Sequence, residues 1–351
     1  MKSKRITMHN KKIGHGHPAI IIAEAGVNHN GDFDMAKRMV YEAKACGADC
    51  IKFQTFKAER LVTELSPKAP YQLETTSADE TQLEMLKKLE LSEDEQKYLM
   101  KLCSDVGIIF LSTPCNIEDV DFLNSLDVAA FKIASAFAVE PYFLRHIAKR
   151  MKPILLSTGM CTLAEVDEAI RIIRGEGNEE IILMQCTTNY PSAIEDANLL
   201  AMQTLSSSFD VLVGYSDHTS GLVASTVAVS LGACVIEKHF TLDKNLSGPD
   251  HLASADPEEF AQLVKSIRSA ETCLGNRVKF PTAVEVKNTE YMRRSIVAKK
   301  VIYRGEIFTL DNLTVKRPGI GLPPKLLEFI IGRKAAHDIA PETMIDFGMI
   351  A

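Results

Sequence analysis

Residues 234–240 read CVIEKHF: the apolar run Cys234-Val235-Ile236 delivers Glu237, Lys238 and His239 in succession, with no turn between them. A second apolar run ends in Ser216-Asp217-His218. Imidazoles at the ends of two successive strands are material for one divalent ion, and two His completed by water and substrate oxygens suit Mn2+, Zn2+ or Mg2+. Lys52 and Lys132 each follow an apolar run by one position, and the hydroxyls of Thr113, Ser135, Ser157 and Ser216 end similar runs. Cations and hydroxyls converging in a partly dry site suit a phosphate or a carboxylate. Glu24 and Glu237 supply carboxylates, one of which can act as a base or order a water. Taken singly, each Ser or Thr reads as a helix cap and each Lys as a rim residue with an apolar stem. Taken together they do not.

The elements that must position these groups come in one rhythm. Short apolar, β-branched runs at 19–26, 50–55, 107–114, 129–135, 153–159, 181–188, 211–218 and 234–240 alternate with helix-like text, the first of it near 33–46. Near-continuous apolar runs suit parallel strands covered on both faces. Eight βα units in this length predict an α/β fold of the (β/α)8 TIM-barrel type. A doubly wound sheet fits less well, because no glycine-rich nucleotide loop follows the first strand. The strand ends carry in order Glu24; Lys52 and Gln54; Ser112 and Thr113; Lys132 and Ser135; Ser157 and Thr158; Thr187 and Thr188; Ser216-Asp217-His218; and Glu237-Lys238-His239. In a closed barrel these converge on the C-terminal mouth, where barrel active sites lie.

Two regions break the rhythm. The stretch 56–90 before the second helix (92–106) is a long βα insertion, which predicts a lid or substrate loop. After the eighth helix, near 256–274, a polar stretch without strong period reads as a linker, and the last sixty-odd residues carry short strands and turns. The expected organisation is a barrel over 1–277, a linker over 278–291 and a small β-rich domain over 292–351. HGH at 15–17 reads as a surface turn. A net charge of −6 gives no electrostatic case for nucleic acid or an anionic membrane. No run approaches a membrane span and the start has no apolar signal core. Eight scattered cysteines without a CxxC predict free thiols and a cytoplasmic protein.

These residues, in this order, resemble the sialic acid (nonulosonate) synthase family. The likeness runs through IIAEAGVNHNGD (21–32), IKFQTFKAE (51–59), FLSTP (110–114), FKIAS (131–135), ILLSTGM (154–160), CTTNYP (186–191), GYSDHT (214–219), VIEKHFTLD (235–243) and SGPDH (247–251), and LTVKRPGIGL (313–322) looks like the antifreeze-like (SAF) domain that ends such synthases. The resemblance implies condensation of phosphoenolpyruvate with an acylamino hexose, releasing phosphate. It implies that His218 and His239 bind a divalent metal, usually Mn2+, with Mg2+ or Co2+ as alternatives. Lys52 and Lys132 then contact phosphoenolpyruvate, Gln54, Thr113, Ser135, Ser157, Thr188 and Ser216 complete that pocket, and Glu24 is the catalytic carboxylate with Glu237 supporting. Tyr190 and Asp250 fall near the sugar. The family also implies a swapped homodimer in which Arg317 of one tail reaches the other subunit's barrel.

The sequence departs from the family pattern at three places. Ala136-Phe137 replaces Gly-Glu, whose glutamate contacts the sugar's N-acyl group; Gln185 replaces a frequent His; and Thr188 stands where some members place an Asn. All three lie on the substrate side; SGPDH favours the N-acetylneuraminate and N,N'-diacetyllegionaminate branches over the pseudaminate branch, the stretch KAPYQLETTSADETQLEMLKKLEL (68–91) resembles those branches too, and a pseudaminate or spore-coat-type synthase of the same family is the alternative. Two other classes compete: a metal-dependent aldolase or isomerase on the same barrel, which needs the metal but not both lysines, and a non-catalytic sugar- or ice-binding protein, which leaves eight polar strand ends unexplained.

Overall fold

The computed structural model describes residues 5–76, 79–276 and 278–351, with backbone alone at 74 and 75. The domain boundary expected at 277 therefore lies outside the described residues. The chain divides into two compact units, 1–275 and 276–351.

In the first unit a hairpin, β1 (Arg5–Met8) and β2 (Lys11–Gly14), precedes eight strands: β3 (Ile20–Gly26), β4 (Cys50–Thr55), β5 (Ile109–Pro114), β6 (Phe131–Ile133), β7 (Ile154–Ser157), β8 (Ile181–Gln185), β9 (Leu212–Asp217) and β10 (Val235–His239). Their ladder order is β5-β4-β3-β10-β9-β8-β7-β6, and its two ends, β5 and β6, lie against each other. The first strand pairs with the eighth, as a (β/α)8 barrel requires. Helix starts follow local chemistry: Ser92 and Thr162 each accept from the backbone of a glutamate three residues on, which returns a bond to the cap.

Each strand splits its residues between two surfaces. Ile21, Ala23, Ile51, Phe53, Ile133, Leu156, Leu183 and Ile236 face the helices in the outer core. Ile20, Ile22, Cys50, Leu111, Ala130, Leu155, Ile182, Met184 and Val235 fill the barrel interior, together with Ile6, Met8 and Ile13 of the hairpin. This hairpin lies outside the expected elements: its three apolar residues are interspersed with polar and charged ones, and they close the N-terminal end of the barrel.

At the opposite end the loops after β3 and β10 are tied together. Asn28 donates to the Phe240 carbonyl at 2.9 Å and to Ser254 at 2.8 Å, and the His251 ring lies 2.6 Å from the Thr241 hydroxyl and 3.2 Å from Asn30. Burial pushes the imidazoles of His29 and His251 down to about 4. Because the unfolded chain binds these protons near pH 6.5 and the folded one does not, stability should fall as pH drops from about 6.5 towards 4, by up to about 3 kcal/mol per group. Urea unfolding of the barrel at pH 7 and pH 5 measures this slope. It should flatten in His29→Gln, and an unchanged slope would contradict the assignment.

In the second unit, β11 (Ser295–Ala298) and β12 (Leu313–Lys316) pair antiparallel. Ile296, Ile302, Phe308, Leu313, Ile330, Ile339 and Ile345 form its core. Within the stretch expected as a linker, Ala283–Met292 is a helix capped by Thr282, with no buried residue. It lacks an apolar stripe, so no helical period marks it in the sequence. No helix among the described residues is long and apolar enough to cross a membrane. All eight cysteines are free thiols, four of them buried.

Candidate active site

Two residues beyond each inward apolar position, the same strand face reaches the mouth. Ile22 leads to Glu24, Cys50 to Lys52 and Gln54, Leu111 to Thr113, Ala130 to Lys132, Leu155 to Ser157, and Val235 to Glu237 and His239. Together with Ser135, Tyr190, Ser216, His218 and Asp250 these groups line one cavity of about 250 Å³. Lys238 does not join them. The pleat turns it outward, where its ammonium lies 3.1 Å from Asp217. The expectation that Glu237, Lys238 and His239 all meet the ligand is thus corrected: alternation keeps the first and third inside and sends the second to the other face.

Register explains the contacts. Glu24 is the ladder partner of Lys52, Glu237 of Ser216, and Gln54 of Thr113. The Lys52 ammonium lies 2.6 Å from Glu24, donates to Thr113 at 2.9 Å and stands 3.9 Å from Glu237. Lys132 approaches Glu237 at 3.3 Å, and Ser216 donates to the same carboxylate at 3.0 Å. Gln54 reaches Glu24 at 3.4 Å.

The two carboxylates are driven apart. Burial pushes both up, but Lys132, Lys52 and the Ser216 hydroxyl outweigh it at Glu237 and hold that group well below the usual carboxylate range. At Glu24 burial prevails over Lys52, the charge of Glu237 adds to it, and the carboxyl rises to about 7. Burial acts on Lys52 as well, yet Glu237 and Glu24 more than offset it and keep the ammonium charged. A proton-holding carboxyl thus sits beside a fixed carboxylate, the arrangement that separates acid and base roles.

The His218 and His239 rings lie 5.5 Å apart between centroids, with Tyr190 packed against both. The His218 Nδ1 lies 2.6 Å from the Thr187 carbonyl and donates to it, so its Nε2 is left as the acceptor nitrogen. Burial lowers the pKa of both imidazoles, that of His239 further through His218, so both are neutral, the ligand form. The Nδ1 of His239 is buried without a hydrogen-bond partner. Neutral rings and an orphaned nitrogen fit a divalent cation. Among the described residues no group of three or more His, Cys, Asp or Glu could hold one, so water or substrate oxygens would have to complete the shell.

Ser135 and Ser157 lie on the lysine side. The Gly159 amide donates to Ser135 at 2.9 Å, and a Cβ on Gly159 would meet the Thr188 hydroxyl at 2.3 Å and the Ser135 hydroxyl at 2.9 Å. Thr188 itself does not line the cavity, and Gln185 turns aside to donate to the Ala197 carbonyl at 3.2 Å. Phe137, the departure noted above, does line it. Asp250, lifted by burial to about 6, stands 4.0 Å from the His239 ring. Arg317 belongs to the second unit, where it is exposed and donates to the Met292 carbonyl at 3.1 Å.

Several lining residues have no counterpart among the sequence candidates. Tyr71 and Gln72 come from the helix Pro70–Thr75 and Met85 and Leu86 from Gln82–Lys88, both in the 56–90 insertion, and Leu89 follows. The Tyr71 ring packs 5.1 Å from that of Tyr190.

The fold and site together define a (β/α)8-barrel protein with paired lysines, carboxylates and imidazoles at one mouth. A NeuB family model matches residues 39–279 and an SAF domain model matches 293–351; the chain belongs to the NeuB family. It is 47% identical to an N,N'-diacetyllegionaminic acid synthase of Campylobacter jejuni over 93% of this chain and 98% of the relative. It is 46% identical to the Legionella pneumophila enzyme of the same name, over 95% of each chain. Among solved structures, an N-acetylneuraminic acid synthetase of Leptospira borgpetersenii in complex with citrate matches with a TM-score of 0.73 at 34% identity, over 82% of this chain and 96% of that one.

Proposed function

We propose that this protein condenses phosphoenolpyruvate with N-acetylmannosamine or its 2,4-diacetamido-6-deoxy analogue, releasing phosphate and forming a nine-carbon acidic sugar for surface-polysaccharide synthesis in the cytoplasm. The observation that carries this reading is the convergence of Lys52, Lys132, Glu24, Glu237, His218 and His239 on one cavity. Lys52 and Lys132, with Thr113, Ser135, Ser157 and Ser216, offer cations and hydroxyls to the phosphate and carboxylate of phosphoenolpyruvate, offsetting several negative charges gathered in a buried site. When bound at His218 and His239, a divalent cation, Mn2+ first with Mg2+ or Co2+ as alternatives, supplies Lewis-acid polarisation of the sugar aldehyde. The enol carbon attacks that aldehyde carbon, and the carbonyl electron pair becomes an alkoxide that takes up a proton. Water adds to the cationic centre left behind and gives up one proton. The hydroxyl so formed then closes to the product carbonyl as the carbon–oxygen bond to phosphate breaks, and its proton passes to the departing phosphate. Glu24, titrating near neutrality, is suited to hold and move these protons, while Glu237 stays charged opposite the lysines. Tyr190 and Asp250 are the residues proposed for the sugar.

The test is phosphate release from phosphoenolpyruvate. It should require both an acylamino sugar and a divalent metal, and a panel adding the pseudaminate precursor fixes the sugar. Release without sugar, or turnover of sugar alone as in an aldolase, would reject the reading.

The working unit proposed is a swapped homodimer in which the SAF domain of one subunit caps the other's barrel and Arg317 enters the partner site. The ten-residue helix Ala283–Met292 supports this as a spacer of about 15 Å that buries nothing. Arginine suits the role, since its planar fork can hold hydroxyls or a carboxylate from outside the barrel. Mixing His239→Ala subunits with Arg317→Ala subunits should restore activity, because swapped capping puts both lesions in one site and leaves the other intact. Continued inactivity of the mixed dimers would mean each tail serves its own barrel.

A further inference from the structure

We propose that Lys238 and Asp217, on the outer face of the barrel, are positioning residues that fix the His218 imidazole relative to His239. The two are ladder partners, and the β9–β10 pairing ends with them. One position further on, where the β9–β10 ladder has ended, stand the two histidines, His239 still paired with Glu24 of β3 and the His218 carbonyl accepting from the Ser192 amide at 2.8 Å. Between β9 and β10 themselves, side chains take over there. The Lys238 ammonium donates to the Asp217 carboxylate at 3.1 Å and also to the Thr219 carbonyl, so a residue next to His239 grips the chain on both sides of His218. Asp217 closes the same loop from within, accepting from the Thr219 amide at 2.8 Å and hydroxyl at 2.7 Å, and from Ser225 at 2.6 Å. Lys238 is 4% exposed and Asp217 1%. A buried ion pair with every carboxylate oxygen engaged is costly to assemble and adds little net stability over apolar neighbours, so its value lies in the geometry it enforces. Here the enforced geometry is that of His218, whose ring is aimed by the Thr187 carbonyl on its other side.

The inference rests on the reading of the two imidazoles as metal ligands, and its test separates the two. Mn2+ affinity is measured by electron paramagnetic resonance titration of metal-stripped wild type, Lys238→Met and the Asp217→Asn/Lys238→Met double variant, alongside melting temperature. The double variant leaves no buried charge unpaired, so it folds even where the single variant does not. The expected result is a double variant that melts close to wild type yet binds Mn2+ at least about tenfold more weakly, the scale on which groups orienting a ligand act. Wild-type affinity in the double variant would overturn the proposal. If wild type itself took up no Mn2+, the metal reading would fail, and the ring nitrogen spectrum of metal-free His218 would decide the clamp. A single Nδ1–H tautomer in wild type that becomes mixed in the double variant supports it; the same single tautomer in both overturns it.

Discussion

His218→Ala and His239→Ala proteins are expected to keep the wild-type circular dichroism and melting temperature while metal-dependent turnover falls below detection. Each change removes a ring from the cavity wall rather than from the packed layers. His239 Nδ1 has no hydrogen bond to lose, and His218 loses its bond to the Thr187 carbonyl and a long contact, 3.5 Å, with the Ser216 hydroxyl. What disappears is a ligand, and a two-imidazole site has none to spare. Full activity in metal-free His239→Ala protein would remove the metal from the account.

Lys52→Met and Lys132→Met should each raise the KM for phosphoenolpyruvate by about ten- to a hundredfold, the cost of a charge-assisted bond at about 1.5–3 kcal/mol. The two should differ in one further respect. Lys52 sits between Glu24 at 2.6 Å and Glu237 at 3.9 Å, so its loss leaves two buried carboxylates facing each other, whereas Lys132 meets Glu237 alone. Lys52→Met should therefore also lower the melting temperature more and push Glu24 further up. Unchanged phosphoenolpyruvate kinetics in both variants would mean that the anion binds elsewhere.

Much of this site was legible in the sequence because parallel barrel strands are short, apolar and regularly spaced, so a polar residue at the end of one stands out. Thirteen residues named from the text line one cavity: Glu24, Lys52, Gln54, Thr113, Lys132, Ser135, Ser157, Tyr190, Ser216, His218, Glu237, His239 and Asp250. Which face each residue takes was harder to read. CVIEKHF looks like three charges in a row, yet the period of two sorts it as cleanly as it sorts the apolar part, and Lys238 belongs with Ile236 on the outside. The hairpin β1–β2 escaped because its buried side chains are those of Ile6, Met8 and Ile13 alone, set among polar and charged neighbours. The helix Ala283–Met292 escaped for the opposite reason: it buries nothing, so no periodicity marks it. Tyr71 and Gln72 could not be assigned to the mouth from the text, because only tertiary packing brings the 56–90 insertion against Tyr190.

The central claim is a carbon–carbon bond made from phosphoenolpyruvate with cleavage of its carbon–oxygen bond. Phosphoenolpyruvate carrying 18O in the bridging position, turned over with the accepted acylamino sugar and Mn2+, tests it most directly. The account predicts that the label leaves entirely with the phosphate, one phosphate for each nine-carbon acid formed. Label retained in the organic product, or an acid formed without phosphate, would contradict it.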